Sequence, residues 1–421
     1  MNKSDFNEGL LGFIDASPTP FHATLNMSMM FENAGFIKLN EIDKWDLKIG
    51  EKYYLTRNDS SIIAFTYPKD NSYTMVGAHT DSPNLKLKPN PVIKEHGVVK
   101  LGVEPYGGVL LNPWFDRDLS LAGRVSYLDS NDTIKDTLIN VDKAIAIIPS
   151  LAIHLDEKAN KDRTVNKQTD ISPILTTNED FEFDEFLKWQ LDKIGIKDVK
   201  ELYASELSFY DTQKASLTGL NDDFIASARL DNLLSCYVGM LSICSIDEDK
   251  PMLFIASDHE EVGSESTSGA SGSFLENTLR RMFSDYEEYM QVIRSSVLIS
   301  ADNAHAIHPN YPSKHDKNHA PYINKGSVLK VNANQRYASN SKTISRFMNV
   351  ASAIKEPYQT FVTRSDMGCG STIGPLTATR LGIETLDVGL PTFAMHSVRE
   401  LCGCDDAHSL YNIILGFSYD G

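Results

Sequence analysis

The sequence is poor in cysteine, in basic charge and in long apolar runs, and each shortage removes a class of function. Five cysteines (Cys236, Cys244, Cys369, Cys402 and Cys404) among 421 residues are few, odd in number and not set in CxxC pairs. That usage fits a reducing, cytoplasmic setting better than a disulfide scaffold. Cys402 and Cys404 could be read as a metal clip, but buried inert thiols are the simpler reading. Lys and Arg number 40 against 57 Asp and Glu, a formal net charge of −17. Nucleic acid and anionic membrane surfaces both demand clustered basic residues, so neither partner is expected. No apolar stretch approaches the roughly 20 residues of a membrane span. The N-terminal segment carries Asp5 within a broken apolar run and lacks the basic-then-apolar plan of a secretory signal.

The remaining composition is that of an ordinary globular protein, with 41% hydrophobic and 23% charged residues. At 421 residues the chain exceeds what one core usually supports, so two domains are expected, one inserted in the other. Short apolar runs at 61–67, 73–78, 252–256, 296–300, 327–331, 359–363 and 383–388 read as strands. Several are nearly continuous in Val, Ile, Leu and Phe, as when a strand is covered on both faces. Helical spacing marks 5–14, 19–33, 231–245, 273–294 and 342–353, so the expected class is α/β. Between 93 and 217 the texture changes to short runs broken by Gly and Pro, the pattern of antiparallel β structure. The expected partition is a discontinuous catalytic domain, 1–92 and 218–421, around an inserted β-rich domain, 93–217. Residues 160–184 are polar and β-poor and read as a surface excursion or flexible loop.

Four polar clusters follow closely on strand runs: His79-Thr80-Asp81, Asp258-His259-Glu260-Glu261, Asp302-Asn303, and His396. The carboxyl ends of strands in open α/β sheets form the crevice where ligands bind, so these clusters can converge from distant parts of the chain. A fifth, Arg229-Leu230-Asp231-Asn232, opens a helix. Singly, each has a plain structural explanation: a surface turn for His79 and Asp81, a solvated face for Glu260 and Glu261, a helix cap for Asp231. Jointly they offer imidazole nitrogen and carboxylate oxygen, the donors zinc takes in catalytic sites, in numbers sufficient for two metals sharing a carboxylate.

The strings GAHTDSP, SARLDN, DHEEVGS, SADNAHAIHPNYPSKH, GSVLKVNANQRYA, GSTIGP and AMHSVRE, with SPTPFHA and PSLAIHL, run in one order along essentially the whole chain. In that order they resemble the aspartyl aminopeptidase family, which also contains vacuolar aminopeptidase I. The resemblance implies a zinc-peptidase-like central sheet flanked by helices, with a β-rich insertion used in assembly. It implies two zinc ions per subunit, one position being open to Mn or Co. His79 and Asp302 would hold one ion, Glu261 and His396 the other, and Asp231 would bridge them. Glu260 resembles the family's general base, and Asp81 would hydrogen-bond His79 and fix its tautomer. Two divalent ions against three carboxylates and one hydroxide would leave a formally neutral cluster, able to accept a neutral amide.

The glycine-rich stretch 365–375, with Gly370, Ser371 and Thr372, resembles the family's substrate-binding loop, and no lysine completes a phosphate-binding pattern there. Lys330, which from sequence alone could be an outward-facing solvated lysine, resembles the residue that meets the substrate's first side chain. His154 resembles a histidine that reaches a neighbouring subunit's active site, although a core or surface histidine fits as well. The loop 302–319 holds His305, His308, His315 and His319, read as active-site lining rather than a further metal site. The implied activity is removal of an N-terminal Asp or Glu from peptides with a free N-terminus, by a homo-oligomer that the resemblance makes a tetrahedral dodecamer. Two alternatives remain: the same metal chemistry with broad or neutral preference or N-acyl amino acid deacylation, and a non-catalytic assembly or cargo protein.

Overall fold

The computed structural model describes residues 1–419. Two compact units divide the chain: Met1–Ser82, Ala215–Met395 and the stretch from Glu400 onward form the first, Pro83–Lys214 and His396–Arg399 the second.

Among the described residues the first unit is built on a nine-stranded sheet. Its order is Ile37–Lys38, Glu51–Arg57, Ser61–Tyr67, Met252–Ser257, Thr74–His79, Val297–Ala301, Glu384–Gly389, Ser327–Val331 and Tyr358–Val362. Thr74–His79 lies at the centre, parallel to Met252–Ser257 on one side and to Val297–Ala301 on the other. Side chains of a strand alternate between faces, and here both faces are buried. Ile62, Ala64, Val76, Ala78, Phe254 and Ile299 enter one core, while Ile63, Phe65, Met75, Leu253 and Leu298 enter another. That double burial is why these strands read as unbroken apolar runs. Helices Lys3–Ala16, Pro20–Asn33, Leu230–Ser245, Ser341–Ala353 and Asp406–Tyr419 contribute to the first core. Phe274–Met282 and Tyr286–Ser295 contribute to the second.

The periodic stretch 273–294, expected as one helix, is thus two. Asp285 caps the second by accepting a hydrogen bond from the amide of Glu288 at 2.9 Å, a start signal that the apolar spacing masked.

The second unit carries a six-stranded sheet, all of its recorded pairings antiparallel. Its strand Asn84–Glu95 begins ahead of residue 93, because Asn84, Leu85, Lys86 and Leu87 already pair with Val98–Tyr106. Two prolines, Pro89 and Pro91, interrupt the pairing between Leu87 and Val92 and hide this strand in the sequence. The stretch 160–184 is not wholly irregular: Ile174–Thr176 pairs with Val98–Tyr106, and helix Phe183–Lys193 starts before it ends.

The C-terminal helix is tied to the central sheet's neighbourhood by its first residue. Asp406 accepts hydrogen bonds from the amides of Asn324 and Gly326, each at 2.8 Å. Burial pushes its carboxyl up to about 7 despite these donors. A carboxyl whose folded pKa is raised stabilises the fold fully below its unfolded value near 4, and that contribution is lost as pH rises through about 7. Asp406→Asn removes this titration, so its urea midpoint should fall less than the wild-type midpoint between about pH 5 and about pH 8.5. Parallel slopes in the two proteins would take Asp406 out of the pH dependence.

Candidate metal centre

Strand topology assembles the site in the first unit. His79 ends Thr74–His79, Glu260 and Glu261 form a short 3-10 turn just beyond Met252–Ser257, and Asp302 follows Val297–Ala301. Ser257 pairs with His79 in the ladder, so the side chains leave the same edge of adjacent parallel strands. Asp231 arrives from the start of Leu230–Ser245. Its backbone is not helical there (φ −84, ψ 106), its amide donates to Glu400 Oε2 at 2.9 Å, and its carbonyl accepts from Ser82 Oγ at 2.5 Å. Asp231 is therefore not the cap of its helix.

His79 is buried, and its Nδ1 lies 3.0 Å from the backbone carbonyl of Asp81. A carbonyl only accepts, so Nδ1 is the donor and the neutral imidazole's Nε2 presents a lone pair. Nε2 faces Asp231 Oδ1 at 3.4 Å and Asp302 Oδ1 at 3.6 Å. Zinc bonds of about 2.0–2.1 Å at tetrahedral angles hold neighbouring donors about 3.3–3.4 Å apart. The donor set thus fits a zinc ion. Ligand atoms of His79, Asp231 and Asp302 lie within 4.8 Å of one another, as do those of His79, Glu260 and Glu261.

Electrostatics point the same way. Burial opposes a charged His79, but Asp231, Asp302 and Asp81 outweigh it and raise the imidazole well above its ordinary pKa. Burial lifts Glu260 to about 7, opposed by His79 and reinforced by Asp302, Asp81 and Asp231. Glu261 is raised well above the carboxylate range, first by burial and then by Asp231. A cation among these carboxylates relieves their repulsion and competes with their protons.

Asp81 does more than face His79. Its carboxylate is 3.4 Å from His79 Nδ1, farther than its own carbonyl, while Oδ1 and Oδ2 accept from the amides of Glu260 and Glu261 at 3.0 and 3.1 Å. It pins the turn that carries both glutamates. Arg229 and His259 adopt left-handed backbone (φ 57 and 64), a conformation that costs a non-glycine residue roughly 1–2 kcal/mol and that clusters at functional sites.

Residues 13–418 match the family described as aminopeptidase I zinc metalloprotease (M18). The chain belongs to the M18 aminopeptidase family. It is 52% identical over 420 residues to the probable M18 family aminopeptidase 2 of Pseudomonas putida KT2440, covering 98% of this chain and 97% of that protein. A chain of the cryo-EM structure of the Ape4 and Nbr1 complex superposes with a TM-score of 0.94 at 36% identity, covering 99% of this chain and 85% of that one. A chain of the Saccharomyces cerevisiae mApe1 dodecamer gives a TM-score of 0.85 at 26% identity, covering 99% and 96%. As a member of this family the protein is a metallo-hydrolase acting on peptides.

In this M18 aminopeptidase Lys330 is not a solvated surface lysine. It is 2% exposed, its Nζ lies 3.4 Å from Asp302 Oδ2, and it sits 5.4 Å from the centre of the Tyr337 ring. Near it, a cavity of about 340 Å³ is lined by His305, His315, Tyr337, Phe361, Cys369 and Gly370 among others. Ser371 Oγ reaches the carbonyl of Arg336 at 3.4 Å, and Thr372 is buried with its hydroxyl on Asp387 at 2.5 Å. Of the loop histidines, His319 pairs with Asp316 at 2.7 Å, and none of the four joins a group able to hold a metal among the described residues. Cys402 and Cys404 join none either among those residues, and burial raises both thiols.

His396 and His154 group with the second unit and its chain segments. His396 is left-handed (φ 68), and its Nδ1 lies 3.2 Å from the carbonyl of Gly108, so Nδ1 is the donor. His154 sits on an exposed turn beside Leu151, Ile153 and Leu155, all exposed as well. Sequence reasoning passed over Glu400, although it stands within AMHSVRE, because a lone glutamate on a short strand carries no pattern.

Proposed function

We propose that the protein is a dinuclear zinc aminopeptidase that removes N-terminal Asp or Glu from peptides. The observation that carries this reading is the buried His79–Asp231–Asp302 set with Glu260 and Glu261 beside it. In it His79 and Asp302 would hold one ion and Glu261 would hold the other, with Asp231 serving both. Zinc so held would lower the pKa of a water and polarise the scissile carbonyl.

Glu260 takes the proton of the attacking water and delivers it to the leaving amine, and an environment that keeps its pKa near 7 suits that exchange. Asp81 fixes where it stands by holding the amides of the Glu260–Glu261 turn. Asp231 and Asp302 are held in turn by Glu400 and Lys330. The substrate lies along the loop of Gly370, Ser371 and Thr372, and the second unit serves assembly into a homo-oligomer, dodecameric as in mApe1. The exposed Leu151, Ile153 and Leu155 around His154 supply apolar contact area for such an interface. No helix among the described residues is long and apolar enough to cross a membrane.

Lys330 is the proposed reader of the acidic side chain. Lys330→Met keeps much of the aliphatic stem and removes a charge-assisted hydrogen bond worth about 1.5–3 kcal/mol, or about ten- to a hundredfold. Asp302 also loses a partner, so some general loss accompanies the change. The discriminating readout is the ratio of kcat/KM on aspartyl and leucyl substrates, which should fall by about that factor. An unchanged ratio would make Lys330 an anchor for Asp302 alone and favour a broad aminopeptidase.

A further inference from the structure

The two loops beside the cavity share a buried carboxyl, close to Lys330, that no sequence motif singles out. Asp387 lies within the strand Glu384–Gly389, beside Ser327–Val331, and is 0% exposed. Its Oδ1 accepts from the Thr372 hydroxyl at 2.5 Å and its Oδ2 from the amide of Ala338 at 2.6 Å. Its own amide donates to Ser339 Oγ at 2.9 Å. Two neighbours are shaped around this group. A Cβ on Gly374 would come within 2.4 Å of Asp387 Oδ1, and a Cβ on Gly389 within 2.8 Å of Lys330 Cε, so glycine at 374 makes room for the carboxyl and glycine at 389 for the lysine stem. Burial raises the Asp387 carboxyl above its ordinary range, opposed by its hydrogen bonds from Thr372 and Ala338 and then by the charge of Lys330.

We propose that Asp387 is a positioning residue for substrate selection. Its buried carboxyl clamps the loops 335–339 and 365–372, which bring Gly370 to the cavity wall and the Tyr337 ring both to that wall and to 5.4 Å from Lys330 Nζ. The proposal rests on the reading of Lys330 as the residue that meets an acidic side chain.

Asp387→Asn has nearly the same volume but turns one acceptor into a donor facing Thr372 or Ala338. KM for an aspartyl substrate should rise about tenfold, the size of one lost charge-assisted bond, while kcat falls by less than about threefold and KM for a leucyl substrate changes far less. A role in folding alone would instead lower zinc content and melting temperature and reduce both substrates alike, and that result overturns the proposal. Should Asp387→Asn fail to fold, Thr372→Val decides: it removes one bond to the carboxylate, and should give the same KM split and faster amide exchange at Ala338, with Thr372→Ser restoring both. A Thr372→Val protein equal to wild type in both readouts overturns the proposal. If Lys330→Met alters the substrate ratio and neither Asp387→Asn nor Thr372→Val does, this inference fails and the Lys330 reading stands. If Lys330→Met leaves the ratio unchanged, the Lys330 reading fails, and the amide exchange at Ala338 then decides the clamp by itself.

Discussion

Glu260→Gln should lower turnover by roughly a hundredfold or more, the usual contribution of a general base, while the protein still binds zinc and assembles. Gln keeps the shape of the side chain, and the backbone of residue 260 stays on Asp81 Oδ1, so the turn should not move. Glu261 keeps its own amide on Asp81 Oδ2. The change is therefore confined to whether position 260 can take a proton. In the wild type, activity should rise with pH as that carboxyl ionises, and this limb should disappear in the variant. Near-normal turnover would remove Glu260 from the role. A protein that lost zinc in step with activity would make Glu260 a ligand, an arrangement its proximity to His79 and Glu261 makes worth measuring.

Asp231→Ala should reduce zinc at both positions, because in the proposed site one residue serves two ions. After exposure to a chelator, zinc should fall from about two per chain to less than one, since losing a shared ligand costs more than the ten- to hundredfold typical of losing an outer partner. The backbone bonds of residue 231 to Glu400 and Ser82 survive in alanine. The melting temperature separates this loss from misfolding. Without metal, Asp231 and Glu261 repel each other in a buried place, so the metal-stripped variant should melt no lower than the metal-stripped wild type. Full occupancy of both positions in Asp231→Ala would contradict the bridging role.

Much of the central sheet was legible because its strands are buried on both faces, which leaves an unbroken apolar run such as Met252–Ser257 ending on a polar cluster. The convergence of His79, Glu260, Glu261 and Asp302 was legible because their clusters stand at strand ends, whereas Asp231 comes from the start of a helix. What stayed hidden were residues that act through backbone contacts. Asp81 was expected to hydrogen-bond His79; its carbonyl lies 3.0 Å and its carboxylate 3.4 Å from His79 Nδ1, and the carboxylate also accepts from the amides of Glu260 and Glu261, a partnership set by two strands meeting in space rather than by spacing in the chain. Asp387 hid within an ordinary strand run, and its meaning comes from the lysine and loops around it. Helix Asp406–Tyr419 escaped notice because its buried residues Ala407, Leu410, Tyr411, Ile413, Ile414 and Phe417 spread over much of its circumference and leave little of the polar face by which helices are recognised.

The central claim is that two ions share this site, and anomalous diffraction from crystals of the zinc-loaded protein tests it most directly. The account predicts two anomalous peaks per chain, about 3.5–4 Å apart as in other two-metal sites, one among His79, Asp231 and Asp302 and the other beside Glu261. A single peak at full zinc loading, or two peaks too distant for Asp231 to touch both, would contradict it.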